Sequence, residues 1–310
     1  MGIIKVRDVE YVTFSAPDLV RMREFLSDFG MTDSGNSDHN VLRMRGTGEA
    51  PFIHKTVLGA PGFVGLALRA RSIEDLETLA TSQGAIVKDL PAPETGRVVA
   101  LTDPNGFLIE VVAGLARVPR TTQEIAPGWN TAQYVSRPGV AKRIAQGPSS
   151  VLRLGHVVLG VNDVSESWQW WSERFGLLMS DEVRAPNGVM AAAFIRCDRD
   201  SELADHHSLN FAQLPRKSAA FHHAAFEVAD LDDLMVGHER LKERGYRHSW
   251  GVGRHILGSH VFDYWRDPWG HLIEHSTDGD VFDADVPAAV TDIPTMMGRK
   301  WGPPAPPDFV

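Results

Sequence analysis

Two stretches decide the fold: Asp103-Pro104-Asn105-Gly106-Phe107-Leu108-Ile109-Glu110 and Asp267-Pro268-Trp269-Gly270-His271-Leu272-Ile273-Glu274. They align without a gap. Asp-Pro-x-Gly suits a type I turn, with Asp opening it, Pro presetting φ at the second position and Gly closing it. A strand is expected after each turn. The similarity extends outward. Val9–Leu19 matches Leu154–Val164, each reading as a strand, a short turn ending in Asp, and the start of a helix. Each helix carries an aromatic stripe and ends near Phe-Gly, at Phe29-Gly30 and Phe175-Gly176. Gly62–Leu68 matches Ala220–Phe226, and each is followed by a helix with Asp-Leu near its start, Asp75-Leu76 and Asp233-Leu234. Three matches in one order indicate an internal duplication.

The chain is therefore predicted to be α+β, with two similar domains, each holding two units of strand, helix and several strands. The first domain is expected over residues 1–115 and the second over 151–280. Residues 116–150 contain Pro119, Pro127 and Pro138 and read as a connector. Residues 281–310 contain Pro287, Pro294, Pro303, Pro304, Pro306 and Pro307 and read as an extended arm.

The length agrees: 310 residues suit about two domains. Hydrophobic residues at 43% and charged residues at 23% describe a soluble globular chain rather than a disordered or fibrous one. No apolar run approaches the ~18 residues of a membrane span. Met1–Arg7 has no apolar core or cleavage site, so a signal peptide is not expected. A net charge of -9 argues against a nucleic-acid surface. The single cysteine, Cys197, rules out a disulfide framework and points to a buried, inert thiol in a reducing cytoplasm. Of 13 histidines, 11 lie between His156 and His275. In a cysteine-poor chain, that imbalance places a site in the second half.

The repeat shows where. Tyr11 stands opposite His156, Gly65 opposite His223, and Glu110 opposite Glu274. The second half thus carries two imidazoles and a carboxylate on three strands, and the first keeps the carboxylate. With a period of two, Leu154, His156 and Val158 are expected on one face, as are Phe221, His223 and Ala225. A lone strand histidine is more often structural than ligating, but three polar groups at matched positions form a facial set. Such a set is characteristic of non-haem Fe(II) enzymes that bind substrate and oxygen together. Mn(II) and Zn(II) suit the same donors.

The stretch Gly253–Glu274, with His255, Tyr264 and Glu274 in sequence, resembles the signature of the type I extradiol ring-cleaving dioxygenases of the vicinal oxygen chelate superfamily. Trp301-Gly302-Pro303-Pro304 is similar to chain ends in that group. The resemblance runs from Val9 to about Asp280. It implies two tandem domains, each an open barrel of paired βαβββ modules, with the metal site in the second domain only. It implies metal ligands at His156, His223 and Glu274, binding Fe(II), with Mn(II) as the alternative ion. It also implies acid–base residues at His207, His255 and Tyr264. His207 rather than His206 is preferred because it precedes Phe211 in a His-x-x-x-Phe pattern.

The implied reaction is cleavage of a catechol by O2 to a muconic semialdehyde type product in aromatic degradation. A base is required at a substrate hydroxyl, for which Tyr264 or His255 is expected, and an acid–base group for which His207 is expected. Two other readings of the same fold are a glyoxalase-like metal isomerase and a non-enzymatic binder of aromatic or drug molecules. Expected partners are a catecholic small molecule, O2 and further copies of the chain in a homo-oligomer, with neither nucleic acid nor membrane. Val158 beside His156 favours an alkyl or aryl catechol, whereas Arg299 and Lys300 would supply cations if the arm folds over the pocket. Arg254 is expected to reach the substrate or pair with an acid. Trp168, Trp170 and Trp171 read as helix packing, His238 and His248 as solvated, and His260, His271 and His275 as having no role in the site.

Overall fold

The computed structural model describes residues 2–121, 128–214 and 219–309, so Pro127 of the connector lies outside the described residues. Two large mixed sheets dominate. In the first, the neighbour order is Thr32–Asp33, Val41–Arg45, His54–Leu58, Asp8–Ala16, Gly62–Arg69, Leu108–Ala113, Arg97–Thr102 and Lys88–Asp89. In the second it is Leu177–Arg184, Met190–Cys197, Leu209–Ala212, Val151–Gly160, Ala220–Val228, Leu272–Thr277, Val261–Arg266 and Arg247–His255. The orders correspond strand for strand. Each sheet is two strand–helix–three-strand units joined along their first strands, so the paired βαβββ architecture is present in both halves.

The register repeats as well. Tyr11 pairs with Ala67 and Gly65 with Thr13, while His156 pairs with Ala225 and His223 with Val158. Ala67 pairs with Glu110 as Ala225 pairs with Glu274. The duplication therefore holds at the level of individual residue pairs.

The helices form where the sequence supplies caps. Asp18, Ser72, Asp163 and Asp230 each accept from backbone N–H groups of the first turn, satisfying donors that a helix start leaves open. Val164–Phe175 ends on Gly176 in the left-handed conformation that favours glycine. The helix buries Trp171 and Phe175, and Trp171 donates its indole N–H to Asp103 of the first Asp-Pro-x-Gly turn. Asp28, at the end of the helix Leu19–Asp28, receives Arg240, Arg244 and Tyr246 from the second domain. One continuous hydrophobic core runs through both domains.

Two expectations change here. Residues 281–309 are docked rather than free, and they include a short helix, Ile293–Met296. Ala289–Asp292 adds to the Leu177–Arg184 edge, and Arg299–Trp301 adds to the Arg247–His255 edge. His238 and His248 are not simply solvated. They approach the two oxygens of Asp263 at 3.1 and 2.8 Å, and Trp265 donates to the same carboxylate at 2.6 Å.

Asp263 is fully buried, so the two imidazoles hold a charge that water cannot reach. The hydrogen bond to Asp263 raises the His238 pKa. Burial pushes Asp263 up, but the bonds from His238 and His248 outweigh it and hold the carboxyl below its usual range. The stabilisation from His238 is therefore full below its unfolded pKa and lost as pH rises through the higher folded value. That from Asp263 is present above its unfolded pKa and lost on acidification. Denaturation of wild type and His238→Phe should show a larger stability gap at pH 5.5 than at pH 8.5, by about 1 kcal/mol or less. A gap independent of pH would remove His238 from the clamp.

Candidate metal centre

Three adjacent strands carry the donors: Val151–Gly160 with His156, Ala220–Val228 with His223, and Leu272–Thr277 with Glu274. His156 Nε2 and His223 Nε2 lie 3.3 and 3.2 Å from Glu274 Oε2, and 3.4 Å from each other. All three residues are buried. An ion about 2.1 Å from each donor would set them about 3.0–3.4 Å apart. Neither carboxylate oxygen of Glu274 has a conventional hydrogen bond among the described residues. A buried carboxylate left this way is costly unless it is paired or bound to a cation. Burial would push Glu274 up; the two imidazoles beside it hold it well below its usual range, so it is ionised. Burial lowers His223, leaving a neutral imidazole suited to ligation. Behind it, His222 Nδ1 lies 2.6 Å from His223 Nδ1, fixing the ring from its far side. The donor set fits a divalent ion with open positions.

The period of two brings His156 and His223 together but fails for some of their neighbours. A register shift between Ala225 and Phe226 skips Gly155, and Leu154 joins the core instead of the site. A second shift skips His222, so Phe221 packs on the core and His222 joins His223 on the cavity wall.

A cavity of about 90 Å³ opens over the three donors. His207, His255 and Tyr264 all line it. The His207 ring lies 4.2 Å from that of His156, while His206 sits behind it, bonded to Asp181. Burial and the neighbouring imidazoles hold His207 well below its usual pKa. Burial lowers His255 to about 3 and raises Tyr264 well above its usual value. The Tyr264 hydroxyl lies 3.0 Å from His255 Nε2, within hydrogen-bond reach.

His260 corrects the sequence reading. It is buried on the same wall, 5.5 Å from the His156 ring and 5.3 Å from the His207 ring, and burial lowers its pKa to about 4. The turn at Gly258-Ser259 folds it back, so that its carbonyl accepts from the backbone N–H of His255. Asn210, which pairs with Val158, lines the cavity too. The signal for both was their place beside assigned residues. His271 binds Asp267, and His275 stacks on Phe29 of the first domain, so neither reaches the site.

The arm closes the cavity with apolar groups. Met296, Met297 and Phe309 line it, and Phe309 packs against Trp250 and Tyr264. Arg299 and Lys300 are exposed and point their donors at Gly302 O and Ser259 Oγ. Arg254 pairs with Asp278. Cys197 is buried, its thiol pushed up to about 12 by burial. A larger cleft of about 1120 Å³ lies between the domains, but its charges pair among themselves, as in Arg153 with Asp205 and Glu227.

In the first domain, the matching place is filled. The Tyr11 hydroxyl donates to Glu110 at 2.9 Å, and Lys55 Nζ lies 3.7 Å from the same oxygen. Lys55 pairs with Thr13 as Asn210 pairs with Val158, so a lysine charge lies where the second domain gathers its donors. A Cβ at Gly65 would fall 2.3 Å from Leu108 O, leaving no room for a histidine equivalent to His223.

Against known proteins, residues 153–275 match the Glyoxalase/Bleomycin resistance protein/Dioxygenase superfamily. The matched segment contains His156, His223 and Glu274. Metapyrocatechase 2 of Cupriavidus necator is 29% identical, over 98% of this chain and 92% of its own. A manganese-dependent 2,3-dihydroxybiphenyl 1,2-dioxygenase of Geobacillus genomosp. 3 is 23% identical, over 89% of this chain and 86% of its own. Among solved structures, a variant of homoprotocatechuate 2,3-dioxygenase from B. fuscum aligns with a TM-score of 0.80 at 20% identity, covering 99% of this chain and 82% of that one. The Mn(II)-bound glyoxalase from Novosphingobium aromaticivorans aligns with a TM-score of 0.78 at 22% identity, covering 98% and 93%. These structures share the fold of this chain. No helix among the described residues is long and apolar enough to cross a membrane.

Proposed function

We propose that the protein is an extradiol ring-cleaving dioxygenase that uses Fe(II) held by His156, His223 and Glu274 to open a catechol with O2. The observation that carries this reading is the ionised carboxylate of Glu274, without a conventional hydrogen bond among the described residues, facing His156 and His223 under a cavity of about 90 Å³. Mn(II) fits the same donors. When bound, the ion supplies Lewis acidity and a site where the catecholate and O2 meet side by side. The chain's own residues would then manage position and protons. His255 and Tyr264 orient a substrate oxygen, and His207 exchanges a proton with the ring substituents or oxygen from the opposite wall. Val158, Phe194, Trp250 and Phe309 line the cavity and would keep water from the substrate. The product would be of the muconic semialdehyde type. The reading includes a homo-oligomeric enzyme in a reducing cytoplasm, where Fe(II) persists.

An isomerase or a simple binder has no need of His207, His255 and Tyr264 around one cavity. The cavity also speaks to substrate. Among the described residues that line it, none is Lys or Arg. A catechol carrying a carboxylate would have to bury that charge unpaired, at several kcal/mol. Alkyl- or aryl-substituted catechols should therefore show kcat/KM at least about 10²-fold above carboxylated ones. A panel followed by O2 uptake decides it. Preference for the carboxylated members would sink the substrate assignment while leaving the reaction class standing.

A further inference from the structure

Behind the cavity lies a row of three buried side chains that the reaction outlined above does not explain. Asp181 Oδ2 is 2.7 Å from His206 Nε2, and His206 Nδ1 is 3.0 Å from His207 Nδ1. Asp181, His206 and His207 are all less than a tenth exposed. His206 is further enclosed by Phe194 and Phe282.

The polarity of this row follows from its end. A carboxylate only accepts, so His206 must place a hydrogen on Nε2. With a single proton, held on Nε2, His206 leaves Nδ1 bare to accept the hydrogen of His207 Nδ1. His207 is left with a bare Nε2. Its Nδ1 is already engaged at His206, so Nε2 is the ring nitrogen left for the cavity. A carboxylate two residues removed in space therefore decides which way the cavity histidine is protonated. A ring nitrogen is set by the bond its partner nitrogen makes, and here the effect passes through a second imidazole.

We infer that Asp181 and His206 are positioning residues that fix His207 as the Nδ1–H tautomer, with the Nε2 lone pair aimed at the substrate. This rests on the extradiol reading for its purpose but not for its geometry. A substrate hydroxyl donates to Nε2, and on transfer the O–H bond breaks and an Nε2–H bond forms. The imidazolium charge is then opposed by Asp181 along the row.

Asp181→Asn tests the row. An amide that donates to His206 Nε2 reverses both bonds and puts the hydrogen of His207 on Nε2. The analogous change beside the histidine of a serine protease costs about 10⁴-fold through the wrong tautomer. Full-length protein loaded with diamagnetic Zn(II) and labelled with 15N-histidine reads the tautomer directly. The wild type should show His207 with Nδ1–H and bare Nε2, and Asp181→Asn should move hydrogen to Nε2. With Fe(II), the variant should lose about 10²-fold in kcat, with KM within about twofold.

His206→Phe, which keeps the buried ring, should free the tautomer and lower kcat likewise, and it decides the matter if Asp181→Asn does not fold. An Nε2–H tautomer in the wild type would overturn the inference. So would folded variants that leave both tautomer and kcat unchanged. Because the tautomer is read without turnover, its failure is distinct from failure of the dioxygenase reading, which would appear as no O2 uptake by the wild type.

Discussion

His223→Ala is expected to lose both the metal and the reaction. His223 Nε2 is 3.2 Å from Glu274 and 3.4 Å from His156, so its removal leaves a two-donor site around a buried carboxylate. Such a site cannot hold an ion against solvent, and the ion supplies several kcal/mol of transition-state stabilisation. Ring cleavage should fall by at least about 10³-fold, and bound metal should become substoichiometric. Stability gives a second readout. An ion that binds only the folded state adds about 2.7 kcal/mol at a hundredfold excess over its dissociation constant. Wild type should melt higher with metal than with chelator, and His223→Ala should show no such difference. Stoichiometric metal with normal turnover in the variant would remove His223 from the ligand set.

His207→Phe should separate chemistry from metal binding. The His207 ring packs beside His156 and on the edge of Phe194, so phenylalanine preserves most of the packing. It removes the nitrogen that faces the cavity and the acceptor–donor link to His206. Loss of a positioned acid–base group costs about 10²–10⁴-fold. Metal content and the affinity for an unreactive catechol analogue should stay within about twofold, while kcat falls by that factor. Loss of metal together with activity would mean that His207 supports His156 structurally instead of serving the reaction.

How much of this was legible in the sequence depends on the physics of each part. The Asp-Pro-x-Gly turns and the strand patterns are local, and their duplication let the two halves be compared residue by residue. That comparison singled out His156, His223 and Glu274 because Tyr11, Gly65 and Glu110 stand at the same register. The alternating face was less legible. The bulges at Gly155 and His222 reverse it for Leu154 and Phe221, and no local signal marks them. His260 reaches the cavity because the turn at Gly258-Ser259 folds back, and Phe309 because the arm docks on Trp250 from 59 positions away in sequence. The Asp263 clamp joins a helix to a hairpin through side chains alone. Such long-range contacts have no periodicity to betray them.

The central claim is that the His156–His223–Glu274 centre drives dioxygen chemistry on a catechol. Anaerobic reconstitution with Fe(II), followed by O2 uptake measured against catechol consumed, tests it most directly. The expected result is about one iron per chain and one O2 consumed per ring opened, with a yellow product that forms only in air. Protein that retains no stoichiometric iron and consumes no O2 with any of a broad catechol panel would contradict it.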